Sequence, residues 1–456
     1  MSIRQLRQRW VLGDPLLRNG ALLTLASVAT SGLGAAYWSL AGLRYDVATV
    51  GRNYSAVSMM MFLAGVSQLN LADVLVRFTP SAGRNTRRII SLAYLTGICT
   101  SLVTSIGFVL LVPWLSPGLD FLHTPLLGAV FVLATVSYAV FVLQDGALTG
   151  LRRPGWVLAE NSLFSLAKLA AVLLLSLAAA PYGILISWTL ALGLSLLFTN
   201  TFLYGFAVPR REREIGRLAP DLTGNQLPGG GPEPTAGVVR YTALTYLGGL
   251  LWLAMSTLPQ VLILNTMGPR DSAFFSISWV ITTMLYVVSS NMGSSLVVES
   301  AGDPRRLGQA VRTVLRNTGA LLLAAVAALL LLAPLVLRLF GEDYPEHATT
   351  LLRLLALSAL PNLVTATALA TYRVRRRLWS FVLLYGCLSV AVFGLSALLV
   401  PRIGLAGMGA AWLGAQLLVA SGLLLFRSTW LPGRTADEAG PGDERELATS
   451  GDGAQR

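Results

Sequence analysis

The chain has 456 residues, of which 54% are hydrophobic and 12% charged, where a soluble surface needs about a quarter charged. Its net charge of +12 comes from arginines in short clusters between apolar blocks, which speaks against a nucleic-acid-binding face. Those blocks are longer than the ~20 residues that cross a bilayer, so lipid is the main solvent of the fold and a soluble enzyme is excluded.

In chain order, residues 1–18 are basic, and the apolar stretch after them is too long for a cleaved signal peptide. It reads as the first membrane helix. Spans are expected over residues 17–42, 53–76, 89–113, 126–148, 155–179 and 183–207. Segment 208–239 follows, rich in Pro, Gly and charge (Leu227 to Pro234 above all), and reads as a cytoplasmic linker. Six more spans are expected over 240–265, 272–298, 313–340, 348–371, 378–400 and 405–426. Pro259 and Pro361 offer bending points in the seventh and tenth. The tail, 431–456, is expected to be disordered.

Arginine placement tests this count independently. With the N-terminus inside, Arg84, Arg87 and Arg88, Arg152 and Arg153, Arg210 to Arg217, Arg305 and Arg306, and Arg373 to Arg377 all fall on the cytoplasmic side. A missed helix would invert the pattern downstream, and it stays in phase. Both termini are therefore expected in the cytoplasm.

The halves repeat. Ser81-Ala82-Gly83 recurs as Ser300-Ala301-Gly302, Arg152-Arg153-x-x-Trp156 as Arg375-Arg376-x-x-Trp379, and Trp188 as Trp412. Six helices return the chain to the side it started from, so the repeat is parallel. The expected fold is an all-α polytopic membrane protein of about twelve transmembrane helices in two six-helix lobes related by a parallel pseudo-two-fold. The N-terminal lobe is residues 1–207, the linker 208–239, the C-terminal lobe 240–430 and the tail 431–456.

Lys168 is the only lysine and falls near the middle of the fifth span. Asn161, Ser165 and Lys168 share one helix face at i, i+4, i+7. A buried cation is costly unless water or a partner receives it. It therefore either faces a hydrated cavity that takes an anion or pairs with Asp145 or Glu160. Those two acids are candidates for ion coupling, or for pairing with the loop arginines. Arg18 and Arg240 open the first and seventh helices at equivalent positions, where guanidinium groups suit a phosphate head group. Positive-inside topology also places arginine there. The seventh helix carries Thr245, Gly249, Trp252 and Ser256 on one stripe, as close packing or a hydrated lining requires. No Walker loop, catalytic histidine or metal-ligating cluster occurs, so no enzymatic activity, cofactor or metal is expected.

Arg18-Asn19-Gly20 opening the first helix, Val50-Gly51-Arg52 before the second and Leu75-Val76-Arg77-Phe78 at its end, with the helix count and repeat, resemble the multidrug/oligosaccharidyl-lipid/polysaccharide exporter superfamily. The resemblance covers residues 15–430 and is nearest to the bacterial polysaccharide exporter branch, the O-antigen flippase type. It implies flipping of a polyprenyl-pyrophosphate-linked oligosaccharide across the bacterial cytoplasmic membrane by alternating access. Membrane lipids and polysaccharide-assembly enzymes are the implied partners. The lipid II flippase branch typically carries two additional helices, for which there is no room. The drug/cation antiporter branch commonly uses a carboxylate in the first or seventh helix, and here both lack one. An antiporter of the same fold and a non-transporting scaffold are the alternatives.

Overall fold

The structure, a computed structural model, describes residues 30, 32–218, 235–300, 307–427 and 430–431. Its described residues form helices and turns, with no strand among them. Residues 32–44 are the described part of the first span, α1. The N-terminal half continues with α2 (Val47–Ser67), α3 (Leu71–Phe78), α4 (Thr86–Leu115), α5 (Pro125–Gly150), α6 (Pro154–Leu177), α7 (Gly183–Phe202) and α8 (Val208–Leu218). The C-terminal half comprises α9 (Thr235–Thr266), α10 (Pro269–Ser300), α11 (Leu307–Arg338), α12 (Tyr344–Leu357), α13 (Ala359–Val374), α14 (Leu378–Ile403) and α15 (Leu405–Leu425). Among the described residues, ten helical stretches are long and apolar enough to cross a membrane, and α2 with α3 makes an eleventh when the bent pair is taken as one span. These are the second to twelfth expected spans.

Lipid as solvent explains the surface. Leu425 is 81% exposed, Leu331 79% and Val390 75%. In water a surface this apolar would drive association. Inside, where hydrocarbon offers no hydrogen bonds, serine and threonine hydroxyls bond back to carbonyls one turn earlier, as Ser276 does to Ser272 O and Thr371 to Thr367 O.

Three features depart from uniform spans. The second bends by 52° between α2 and α3, where Leu69 and Asn70 adopt φ of 48° and 59°. A break inside a membrane frees carbonyls that water cannot satisfy. Here Tyr246 donates to Val66 O at 2.5 Å and Thr100 to Ser67 O at 2.6 Å. The tenth span is interrupted at Ser358, just before Pro361, whose missing N–H cannot close the ladder. The segment read as linker starts as helix, because α8 follows α7 through a π-helical turn, Leu203–Ala207. On α8, Arg211 donates to Pro80 O at 3.1 Å and Glu212 accepts from Arg87 N at 3.2 Å. The rest of the linker up to residue 234, and the tail after 431, lie outside the described residues.

The helices group into two compact units. The first is the chain up to Tyr246 with Ser256–Ile277 and Leu337–Tyr344; the second is Leu247–Met255, Ser278–Val336 and the chain from Pro345. Within the first unit, Gly51 must be glycine, because a Cβ there would stand 1.9 Å from Pro269 O. That close approach lets Ser55 Oγ bond Ser272 Oγ at 2.8 Å.

Candidate functional site

Two polar clusters interrupt the apolar interior, one in each unit. In the first, α6 carries Lys168, 7% exposed, with Nζ 4.6 Å from the ring centre of Trp188, 4.9 Å from Phe164 and 5.0 Å from Tyr37. Such cation–ring contacts contribute about 0.5–2 kcal/mol each when desolvated, which offsets part of the cost of burying the ammonium. The Tyr37 hydroxyl is tied to Ser187 Oγ at 2.9 Å and Ile184 O at 3.2 Å, which fixes the ring. Among the described residues no carboxylate forms an ion pair with Lys168. The pairing with Asp145 or Glu160 that the sequence allowed is thus not formed, and the rings take that place.

The other polar residues of this helix face sit beside it. Ser165 is 6% exposed, and Asn161 Nδ2 donates to Asp145 Oδ1 at 3.2 Å and to Val157 O at 3.0 Å. Glu160 is fully buried, and neither of its carboxylate oxygens has a hydrogen-bond partner. Tyr94 and Asp145 are its electrostatic neighbours. An ionised carboxylate so placed would carry a desolvation cost of several kcal/mol, so the site calls for a proton or a small cation.

Arg18 lies outside the described residues, and Arg240 is exposed on α9.

The second cluster lines a cavity of about 410 Å³ enclosed by α9, α10, α13, α14 and α15. Its volume falls in the range of small-molecule sites, about 300–1,000 Å³. Trp252, Tyr286 and Tyr385 supply aromatic faces, Asn362 and Gln416 supply carboxamides, and Arg373 is the sole charged residue among the described lining residues. Arg373 sits near the C-terminal end of α13, beside the Arg375–Arg377 loop, while Gln416 lies near the middle of α15. The cavity therefore runs from the arginine-rich end of the bundle toward its mid-depth.

Packing makes this wall rigid. Trp412 Nε1 donates to the Tyr286 hydroxyl at 2.6 Å, and Ser358 Oγ lies 2.7 Å from the same oxygen. Trp252 stands 6.1 Å from Tyr385, which meets Phe381 edge-on at 5.1 Å, and the Arg373 guanidinium lies 4.6 Å over Phe381. Gly248 allows α9 to seat on that ring, since a Cβ would stand 2.3 Å from Phe381 Cε1. Gln416 is fully buried; its Oε1 accepts from Thr365 at 3.3 Å, whereas its Nε2 has no acceptor. An unmet buried donor costs about 1–3 kcal/mol.

Sequence reasoning did not assign this cavity. Trp252 was on a noted stripe, and Gln416 is a lone carboxamide in an apolar helix, which is a usable signal. Arg373 was hidden among arginines that topology already explained.

No protein-family model matches the chain, and no curated protein matches it. Solved structures do. An inward-facing multidrug resistance MATE family transporter of the MOP superfamily matches 90% of this chain and 95% of its own, with TM-score 0.64 and 14% identity. Lipid II flippase MurJ, in an inward closed conformation, matches over 90% and 87%, with TM-score 0.66 and 12% identity. MATE in the straight conformation matches over 91% and 96%, with TM-score 0.60 and 16% identity. Over nine-tenths of its length, the chain has the all-helical membrane fold of MATE transporters and the MurJ flippase.

Proposed function

We propose that the protein is a membrane transporter working by alternating access, and that it moves a polyprenyl-pyrophosphate-linked oligosaccharide across the bacterial cytoplasmic membrane. Both termini and the arginine-rich ends of the helices face the cytoplasm. The observation that carries the anionic choice is the charge of the cavity: among its described lining residues Arg373 is the sole ionic one, so a phosphate finds an ionic partner there and a cationic drug meets a like charge. Lys168, on the helix face it shares with Asn161 and Ser165, and the arginines Arg18 and Arg240 are the other proposed contacts for an anionic substrate. Glu160 and its neighbour Asp145 are the proposed coupling groups, because a buried carboxylate without donors, as Glu160 is, takes up a proton or cation readily.

Those same acids favour a second reading, a drug or cation antiporter of the same fold. Purified protein in liposomes separates the two. Flipping of a fluorescent polyprenyl-pyrophosphate saccharide, with no efflux of cationic dyes, is the expected result; dye efflux without lipid flipping would replace the first reading by the second. Topology is tested with cysteines in place of Gly229 and Asp120, which an impermeant reagent is expected to label from opposite sides.

A further inference from the structure

We infer that the cavity among α9, α10, α13, α14 and α15 is a saccharide subsite, with the attached phosphate held at Arg373. The inference rests on the transport reading only for the lipid to which the sugar is joined; the subsite follows from the wall itself. A sugar presents apolar C–H faces and a rim of hydroxyls. Aromatic faces from Trp252 and Tyr385 match the first, and the carboxamides of Asn362 and Gln416 match the second.

Three observations separate this from other occupants. An acyl or prenyl tail would bury the Asn362 and Gln416 carboxamides against hydrocarbon without offering them a partner. Among the described lining residues a cation would meet Arg373 and no carboxylate. Gln416 is fully buried in the inner wall, with its amide beside the Tyr286 hydroxyl, and keeps that end of the cavity polar. The Tyr286 hydroxyl is already engaged by Trp412 and Ser358, so this residue contributes a face rather than a hydrogen bond.

The order of groups also fits. Arg373 lies at the arginine-rich end of the cavity and the carboxamides at mid-depth. A phosphosugar entering from that end leaves its phosphate at the guanidinium while the ring passes inward along the faces of Trp252 and Tyr385. Preformed, hydrogen-bonded walls lower the ordering cost of such binding.

The test is calorimetric titration of the purified full-length protein with glucose 1-phosphate, galactose 1-phosphate and N-acetylglucosamine 1-phosphate. Inorganic phosphate and uridine monophosphate are the comparison ligands. At least one sugar phosphate is expected to bind tighter than inorganic phosphate. Trp252→Leu should weaken it about tenfold or more, and Trp252→Phe, which keeps a ring, should restore most of the affinity. Arg373→Gln should abolish the preference for sugar phosphate over the free sugar. The subsite is overturned if no sugar phosphate binds, if inorganic phosphate binds as well, if uridine monophosphate binds tightest, or if Trp252→Leu changes nothing. Lipid flipping measured on the same variants keeps the two readings apart. Flipping that ignores Trp252→Leu removes the subsite and leaves transport standing. Sugar-phosphate binding without any flipping removes transport and leaves the subsite.

Discussion

Trp188 and Trp412 stand at equivalent positions of the internal repeat, yet the aromatic clusters around them differ. Around Trp188 the rings of Tyr37 and Phe164 close on the Lys168 ammonium. Around Trp412 the rings of Trp279 and Tyr286 adjoin an open cavity. The repeat offset places Lys168 opposite Ala391 or Val392 and Phe164 opposite Cys387 or Leu388. The second copy thus has no cation at the position of Lys168, and its cavity takes its polarity from Arg373, Asn362 and Gln416 instead. One architecture thus holds a filled cation cage in one half and a polar cavity in the other.

The comparison breaks most plainly at Lys168. On the proposed function, Lys168→Ala abolishes lipid flipping while membrane insertion stays intact, and Lys168→Arg keeps part of the activity. Near-normal flipping by the alanine variant would reduce the cage to a structural device. Lys168→Met separates the two roles further. It removes a buried cation and keeps the chain length, so the purified protein should melt at the wild-type temperature or a few degrees above it.

The cavity is probed next. Arg373→Gln should raise the lipid concentration for half-maximal flipping by about ten- to a hundredfold, as expected for loss of a charge-assisted hydrogen bond of about 1.5–3 kcal/mol. An unchanged concentration dependence would remove Arg373 from the substrate path. Gln416→Leu has a smaller effect and the opposite sign in stability. It deletes an unmet donor, and Thr365 retains Pro361 O as an acceptor at 3.4 Å, so the variant should be about 1 kcal/mol more stable by chemical denaturation. A destabilised variant would mean that the amide is satisfied.

The smallest effect sharpens the comparison by testing scaffold alone. Asp46 caps α2, accepting from Thr49 N at 3.0 Å and from the Thr49 hydroxyl. Partial burial opposes ionisation of its carboxyl, but the two Thr49 donors, with Arg52 nearby, outweigh it and hold the group below the usual carboxylate range. Its contribution is therefore fully present above the unfolded pKa and is lost as pH falls through the lower folded value. Asp46→Ala should cost about 1 kcal/mol at neutral pH and nothing once the wild-type carboxyl is protonated, as melts across that range would reveal.

Much of the fold is legible in the sequence because solvent choice is local. A run of apolar residues partitions into lipid whatever its neighbours, and arginine clusters mark the side that stays in water. That logic placed eleven of the spans within the described residues and put Lys168 deep in the fifth. It also singled out Asp145, Asn161 and Glu160, which the fold brings together. Tertiary structure alone decided the rest. The bend at Leu69 and Asn70 is tolerable because Tyr246 and Thr100, distant in sequence, satisfy the freed carbonyls. Helix α8 holds its place through Pro80 and Arg87. The lysine cage and the polar cavity depend on which side chains from five helices fail or succeed in filling a shared volume, a balance that no single segment encodes.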